Sequence, residues 1–167
     1  MTILCNTTVL SNFATVNQLD CLKFLFQRIC IPVAVYEEIQ NGIEEGYDFF
    51  IGIENQISPL TENGWIQLIS VNHEDEIRLL GNLPRHIHSG EAACLVIARQ
   101  RKWLFLTDDR AARKIAKSWH ISLSGTLGCL KLAVDTNQYT LLQANRFLLE
   151  MIDHGYRSPI TDLSALS

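Results

Sequence analysis

Short apolar stretches alternate with helical patterns along most of the chain, and this alternation constrains the fold more than any other feature. Strand-like runs such as "TILC", "WIQLISV" and "WLFLT" are separated by segments with helical spacing of apolar residues. Such alternation is typical of a parallel sheet covered by helices on both faces. We therefore predict a three-layer α/β/α fold with a central parallel sheet of four or five strands. "TILC" and "WLFLT" are too apolar for a sheet edge and should lie near its middle.

The length and composition are consistent with one compact unit. With 167 residues, 47% of them hydrophobic, we predict a single domain over residues 1–167. The longest apolar runs are far shorter than a membrane span, and no basic residue precedes Lys23, so we expect a cytoplasmic protein without membrane association. The five cysteines form no CxxC pair, which favours reduced core thiols over a disulfide or a zinc site.

The basic residues are unevenly distributed. The net charge of -4 argues against a protein that coats DNA, but seven of the 14 Lys and Arg residues lie between Arg99 and Lys117. Such a run is often a solvated helix face, and it is also able to contact a phosphate backbone. The candidate nucleic-acid contacts are Arg110, Arg113, Lys114 and Lys117.

Polar residues follow two of the predicted strands at the point where each ends. Asn6 comes directly after "TILC", and Asp108 and Asp109 follow "WLFLT". In a parallel α/β sheet the functional crevice lies beyond the carboxyl ends of the strands, so these residues are expected to be neighbours. Each position is also a natural N-cap for the next helix, and that simpler interpretation stays open.

Helical phase separates two adjacent acids. If Val35, Ile39 and Ile43 form the buried stripe of a helix, Glu37 points away from it and Glu38 borders it. Glu38 is therefore the candidate site residue, and Glu37 is expected to be solvated.

Further acids fall into two groups. Glu91 lies in the first turn of an almost wholly apolar helix. There its carboxylate either interacts favourably with the helix dipole or serves as a metal ligand. The acids Glu74, Asp75 and Glu76 lie in a polar cluster and are expected to serve solubility only. The histidines lack the spacing of a zinc hydrolase, although His86 and His88 are close enough to Glu91 to face the same cleft.

The candidate catalytic set contains oxygen donors only: Asn6, Glu38, Glu91, Asp108 and Asp109. Such donors suit Mg²⁺ or Mn²⁺, which use a few carboxylates and keep several waters. An ion of this kind activates water and neutralises charge on a phosphodiester, which is the chemistry of a nuclease.

Five stretches then carry a resemblance to a known family: "CNTTVLSNFA", "IPVAVYEEI", "HSGEAACLVIA", "LFLTDDRAARKIA" and "SGTLGCLKLA". In this order and spacing the chain resembles PIN-like proteins, particularly a prokaryotic branch similar to the toxin ribonucleases of toxin–antitoxin modules. The resemblance implies cleavage of RNA with Mg²⁺ or Mn²⁺ and a small antitoxin protein as partner. It does not determine the oligomeric state, and a homodimer is one alternative.

The same resemblance implies roles for individual residues. Metal ligands would be Asn6, Glu91, Asp108 and Asp109, with Glu38 completing the catalytic set, and the polar neighbours would be Thr7, Thr8 and Thr126. The chain departs from the family at Asn6, where an aspartate is usual. An amide keeps one carbonyl oxygen but carries no charge and cannot act as a base.

Two other interpretations compete with a ribonuclease. One is a binding module of the same fold, in which the weakened acid set no longer cleaves and the basic run binds RNA or a partner protein. The other is a receiver-like phosphoacceptor, suggested by the adjacent acids Asp108 and Asp109 after a strand. Receivers need acidic residues near the end of the first strand, where this chain has Asn6.

Overall fold

The fold is described from a computed structural model over residues 1–166; Ser167, the last residue of the predicted domain, lies outside the described residues. Its centre is one parallel sheet with the order β3-β4-β2-β1-β5-β6. The strands are β1 Ile3–Cys5, β2 Ile29–Pro32, β3 Ile57–Ser58, β4 Ile66–Ile69, β5 Leu104–Leu106 and β6 Leu123–Ser124.

The prediction of four or five strands is wrong by at least one, because six strands pair. The two edge strands, β3 and β6, have two residues each, too few to show a periodic pattern in the sequence. The parallel arrangement is confirmed, and neither "TILC" nor "WLFLT" is an edge strand: β1 is one of the two central strands, and β5 lies between β1 and the edge strand β6. Strand β1 lies between β2 and β5, with Leu4 opposite Cys30 on one side and Phe105 on the other.

Eight α-helices cover the sheet within residues 1–166: α1 Thr7–Thr15, α2 Leu19–Phe26, α3 Val33–Glu44, α4 Glu74–Asn82, α5 Ser89–Arg101, α6 Arg110–Ser118, α7 Thr126–Asp135 and α8 Leu141–Asp153. Helices α3, α4 and α6 each contact α5, and α1, α2, α7 and α8 form a second connected group. Three 3₁₀ turns, Asp48–Phe50, Ile53–Gln56 and Leu163–Leu166, complete the elements. None of the helices within residues 1–166 has both the length and the apolar character to span a membrane.

Helix α5 is the interior helix of its layer. Every residue from Gly90 to Ala98 is buried, as the apolar composition of this segment predicts. The helix begins at Ser89 with His88 in the N-cap position, and no side chain caps it. Glu91 lies in the first turn of this helix.

The expectation that Glu76 is merely a solubilising residue is wrong. Its side chain is 0% exposed and accepts hydrogen bonds from Arg101 Nε at 2.7 Å and Arg101 Nη2 at 2.9 Å. Arg101 also lies over the ring of Trp103 at 5.1 Å from its centroid. The pair joins α4 to the end of α5, and because its members are far apart in sequence, local patterns could not indicate it.

The cysteines are all free and buried, as predicted. Burial raises the pKa of the Cys5 and Cys94 thiols, and nearby acidic groups raise it further. These thiols therefore stay protonated and act as small apolar core residues.

Candidate active site

Asn6 joins the ends of the neighbouring strands β1 and β5. Its backbone N–H donates to the Leu106 carbonyl at 3.2 Å, and its Nδ2 donates to Thr107 Oγ1 at 2.6 Å. Its Oδ1 accepts from the Thr8 hydroxyl at 2.8 Å and from the Val9 N–H at 3.3 Å. The amide oxygen thus already accepts two hydrogen bonds, which matches its two lone pairs. Asn6 is the N-cap of α1, and it is only 1% exposed.

Asp108 is held by two elements of the opposite helical layer. Its Oδ1 accepts from the Thr126 backbone N–H at 2.9 Å, and its Oδ2 accepts from the Thr126 hydroxyl and, at 3.1 Å, from Asn12 Nδ2. Gly125 makes this approach possible, because a Cβ there would lie 2.5 Å from Asp108 Oδ1. Asn12 was missed by the sequence analysis, since nothing in its local pattern distinguishes it from a solvated helix residue.

Asp109 has the capping role that the sequence predicts for one acid of the pair. Its Oδ2 accepts from the Ala112 N–H at 2.8 Å at the start of α6, and its backbone N–H donates to Thr107 Oγ1 at 3.1 Å. Thr107, which is fully buried, therefore links Asp109 to Asn6. The second carboxylate oxygen, Oδ1, takes no part in this cap.

Glu38 borders the buried face of α3, and Glu37 is exposed, as helical phase predicts. Glu38 Oε2 accepts from the Thr7 hydroxyl at 3.1 Å. Its Oε1 is buried and has no hydrogen-bond partner within residues 1–166. This oxygen occupies the space above Gly90, where any Cβ would collide with it. A buried carboxylate oxygen without a donor is costly unless a proton or a cation reaches it.

Glu91 completes an acidic group with Glu38 and Asp109. It is 8% exposed, and burial raises its pKa to about 7, with the negative charges of Asp109 and Glu38 contributing to the rise. The three carboxyl groups therefore interact electrostatically, although they come from three different elements. A bound cation would relieve both the repulsion and the desolvation.

A cleft of about 1000 Å³ opens beside these residues. Of the predicted site residues, those that line it are Thr7, Thr8, Glu38, Asp108, Asp109 and Arg110, and His88 lines it as well. Asn6, Glu91 and Thr126 do not line the cleft, and each is at most 8% exposed. The structure thus divides the predicted set into groups that face the cleft and groups that support them from behind.

The donor chemistry of the site fits a hard divalent cation. The unpartnered Glu38 Oε1 and the mutual repulsion around Glu91 are the observations that support this fit. The geometry is not that of a preformed centre, since no three His, Cys, Asp or Glu side chains in the part of the chain described by the structure are placed to hold a metal ion. The candidate holders are the carboxylates of Glu38, Glu91 and Asp109; the amide oxygen of Asn6 is already engaged.

The basic residues of α6 differ in their surroundings. Arg113 donates from Nη1 to the carbonyl oxygens of Thr107 at 2.7 Å and of Ser124 at 3.1 Å, so it connects the ends of β5 and β6. Arg110, Lys114 and Lys117 are exposed, and of the three only Arg110 lines the cleft. Nucleic-acid contact by these residues stays a prediction, with Arg110 best placed to reach a phosphate in the cleft.

Comparison with known proteins adds one finding to this geometry. A family model described as a PIN domain matches residues 2–165. The matched range contains all five stretches on which the resemblance was based. Among curated proteins, no match to the chain is found.

Proposed function

The chain belongs to the PIN domain family, and we propose from this premise that it is a divalent-metal-dependent ribonuclease, with the role of a toxin in a toxin–antitoxin pair. The observation that best supports the proposal is the unpartnered Glu38 Oε1, which is buried at the cleft, while the carboxylates of Glu38 and Asp109 each interact electrostatically with Glu91. Membership of this family favours a nuclease over the receiver-like alternative.

Each residue of the site has a distinct part in the proposed reaction. Glu38, Glu91 and Asp109 would hold Mg²⁺ or Mn²⁺, which when bound lowers the pKa of water and neutralises charge on the phosphodiester. Asp108 is oriented by Asn12 and Thr126, so its carboxylate is fixed at the floor of the cleft. 

Two side chains would have a further part. In the metal-free protein a pKa of about 7 leaves Glu91 partly protonated at neutral pH, so binding of the cation would release this proton. Arg110 is exposed at the cleft and would contact a phosphate of the RNA strand. Both roles require only side chains that already lie at or directly behind the cleft.

A matched pair of variants on one helix tests the proposal. Glu38→Gln removes the charge and should weaken Mn²⁺ binding in calorimetry and reduce cleavage of a labelled RNA at least 100-fold, roughly the loss of one ligand or charge at a metal-assisted site. Glu37→Gln makes the same change at the exposed neighbour and should leave both quantities unchanged. Absence of Mn²⁺ binding at millimolar concentrations by the unaltered protein would contradict the proposal.

A second candidate is a PIN-fold module that binds RNA or a partner protein without cleaving. It is favoured by Asn6, whose side chain is neutral and whose oxygen already accepts two hydrogen bonds. The two candidates differ in cleavage and in Mn²⁺ binding: a binding module retains RNA affinity in the Glu38→Gln variant, but it cleaves RNA in neither form and binds no Mn²⁺.

A further inference from the structure

The cleft that holds the acids also has an aromatic lining. Tyr47, Phe49 and Phe50 all contribute to it, and they follow α3 directly in the chain. The ring centroids of Phe49 and Phe50 are 4.7 Å apart, and those of Tyr47 and Phe49 are 6.0 Å apart. Phe50 is 3% exposed and Tyr47 is 56% exposed. The three rings therefore form a contact series that runs from the hydrophobic core to an exposed tyrosine.

The position of Tyr47 is fixed although its ring is exposed. Its backbone N–H donates to the Gly42 carbonyl at 2.9 Å. A Cβ at Gly42 would lie 3.7 Å from Tyr47 Cδ2, so the ring rests against the last turns of α3. One side of the ring is therefore supported by α3 and Phe49, and the rest of it remains exposed at the cleft.

The same cleft contains two exposed arginines, Arg110 and Arg157. Neither takes part in a salt bridge within residues 1–166. Arg157 was not among the basic residues singled out in the sequence, because it lies far from the run that ends at Lys117. Proteins bind single-stranded nucleic acids through cationic side chains that neutralise phosphates and aromatic rings that stack on bases. This cleft offers both kinds of side chain.

We propose that Tyr47, supported by Phe49, is the platform on which an unpaired RNA base stacks, and that Arg157 contacts the phosphate backbone of that strand. The proposal rests on the proposed function, since it takes RNA to be the ligand of the cleft. A base within a duplex presents only its edges to a protein, so a stacking platform selects a strand whose bases are free. Tyr47 would thus determine the preference for single-stranded RNA without touching the scissile phosphate.

Binding without cleavage isolates this role. The probe is a fluorescein-labelled adenosine oligonucleotide of about ten nucleotides, measured by anisotropy in EDTA, beside a duplex of the same length. Tyr47→Ala should weaken binding of the single strand about tenfold, which lies within the range for loss of one base–aromatic stack, and Tyr47→Trp should retain it. Duplex binding should not change in either variant. Arg157→Ala should weaken binding and lower the dependence of log Kd on log salt by about one.

Phe24→Ala is the matched control, because Phe24 is 71% exposed and does not line the cleft. It should bind the oligonucleotide like the unaltered protein. The platform would be wrong if Tyr47→Ala bound the single strand as tightly as the unaltered protein does. It would also be wrong if the variant lost the same affinity for the single strand and for the duplex. The same holds if the unaltered protein binds neither RNA.

Addition of Mn²⁺ separates this proposal from the nuclease. If the protein binds the single strand through Tyr47 but never cleaves it, the platform stands and the nuclease proposal fails. If it cleaves the strand while Tyr47→Ala binds normally, the nuclease stands and the platform is wrong.

Discussion

Glu91→Gln should stabilise the metal-free protein at neutral and alkaline pH. Burial and the charges of Asp109 and Glu38 raise the pKa of Glu91 from 4.5 to about 7, so the native state favours the protonated carboxyl group. In the unfolded chain the same group ionises near pH 4.5. The contribution of Glu91 to the free energy of unfolding is therefore most favourable below pH 4.5, where the group is protonated in both states. This contribution is lost as pH rises towards 7, because the unfolded chain then binds fewer protons than the folded one. Glutamine has no charge to desolvate and removes the effect.

The magnitude follows from the two pKa values. Each pH unit in the window corresponds to about 1.4 kcal/mol, so Glu91 costs the native state about 1 kcal/mol at pH 5 and about 3 kcal/mol at pH 8. Glu91→Gln should recover most of this at pH 8, which for a chain of this length corresponds to a rise in Tm of about 6 to 12 °C. At pH 5 the gain should be at most about 1 kcal/mol, about a third of the gain at pH 8.

Urea denaturation from pH 5 to pH 8 in EDTA, followed by tryptophan fluorescence, measures the difference. Glu37→Gln is the matched control, because this neighbour of the site is exposed and its replacement should shift stability equally little at every pH. Mn²⁺ should stabilise the unaltered protein more at pH 8 than at pH 5, because only ionised carboxylates attract it. A difference between Glu91→Gln and the unaltered protein that does not grow with pH would refute the electrostatic account of this site.

Four further variants test other parts of the structure. Arg101→Met leaves Glu76 buried without its partner and should reduce the free energy of unfolding by about 3–5 kcal/mol in urea titration, a loss that a second change of Glu76 to Leu should largely reverse. Asn6→Asp adds a negative charge beside the other acids. It should tighten Mn²⁺ binding in calorimetry and lower Tm in EDTA. If neither quantity changes, Asn6 is a helix cap only. Arg110→Ala should lower the slope of log Kd for RNA against log salt by about one, measured by anisotropy, without changing stability. Arg113→Ala should instead destabilise the fold, because its guanidinium donates to two strand-end carbonyls. The reverse result for the two variants would contradict these surroundings.

Strong local patterns were enough to predict the architecture. Continuous apolar runs predicted that "TILC" and "WLFLT" lie inside a parallel sheet and not at its edge, because strands buried on both faces lack polar alternation. Helical phase distinguished Glu38 from Glu37, since residues along one face of a helix recur with its period. The motifs at the strand ends led to the family, which the match over residues 2–165 confirms.

Only the tertiary structure decided what surrounds each of these side chains. The sequence predicted Asn6 as a site residue. It did not show that Thr8, Val9 and Thr107 already form hydrogen bonds with its side-chain amide. Hydrogen bonds of this kind depend on the distance between strands and helices that are remote in the chain.

The same reason explains the residues whose roles the sequence misjudged or omitted, of which Glu76 and Tyr47 are examples. Glu76 resembles its solvated neighbours until Arg101 is brought beside it, and Tyr47 resembles an ordinary loop aromatic until the fold places its ring at the same cleft as the acids. Periodicity carries information about which face of an element is buried, because burial repeats along that element. Pairing of charges and the composition of a cleft depend on contacts between elements, and those arise only when the chain has folded.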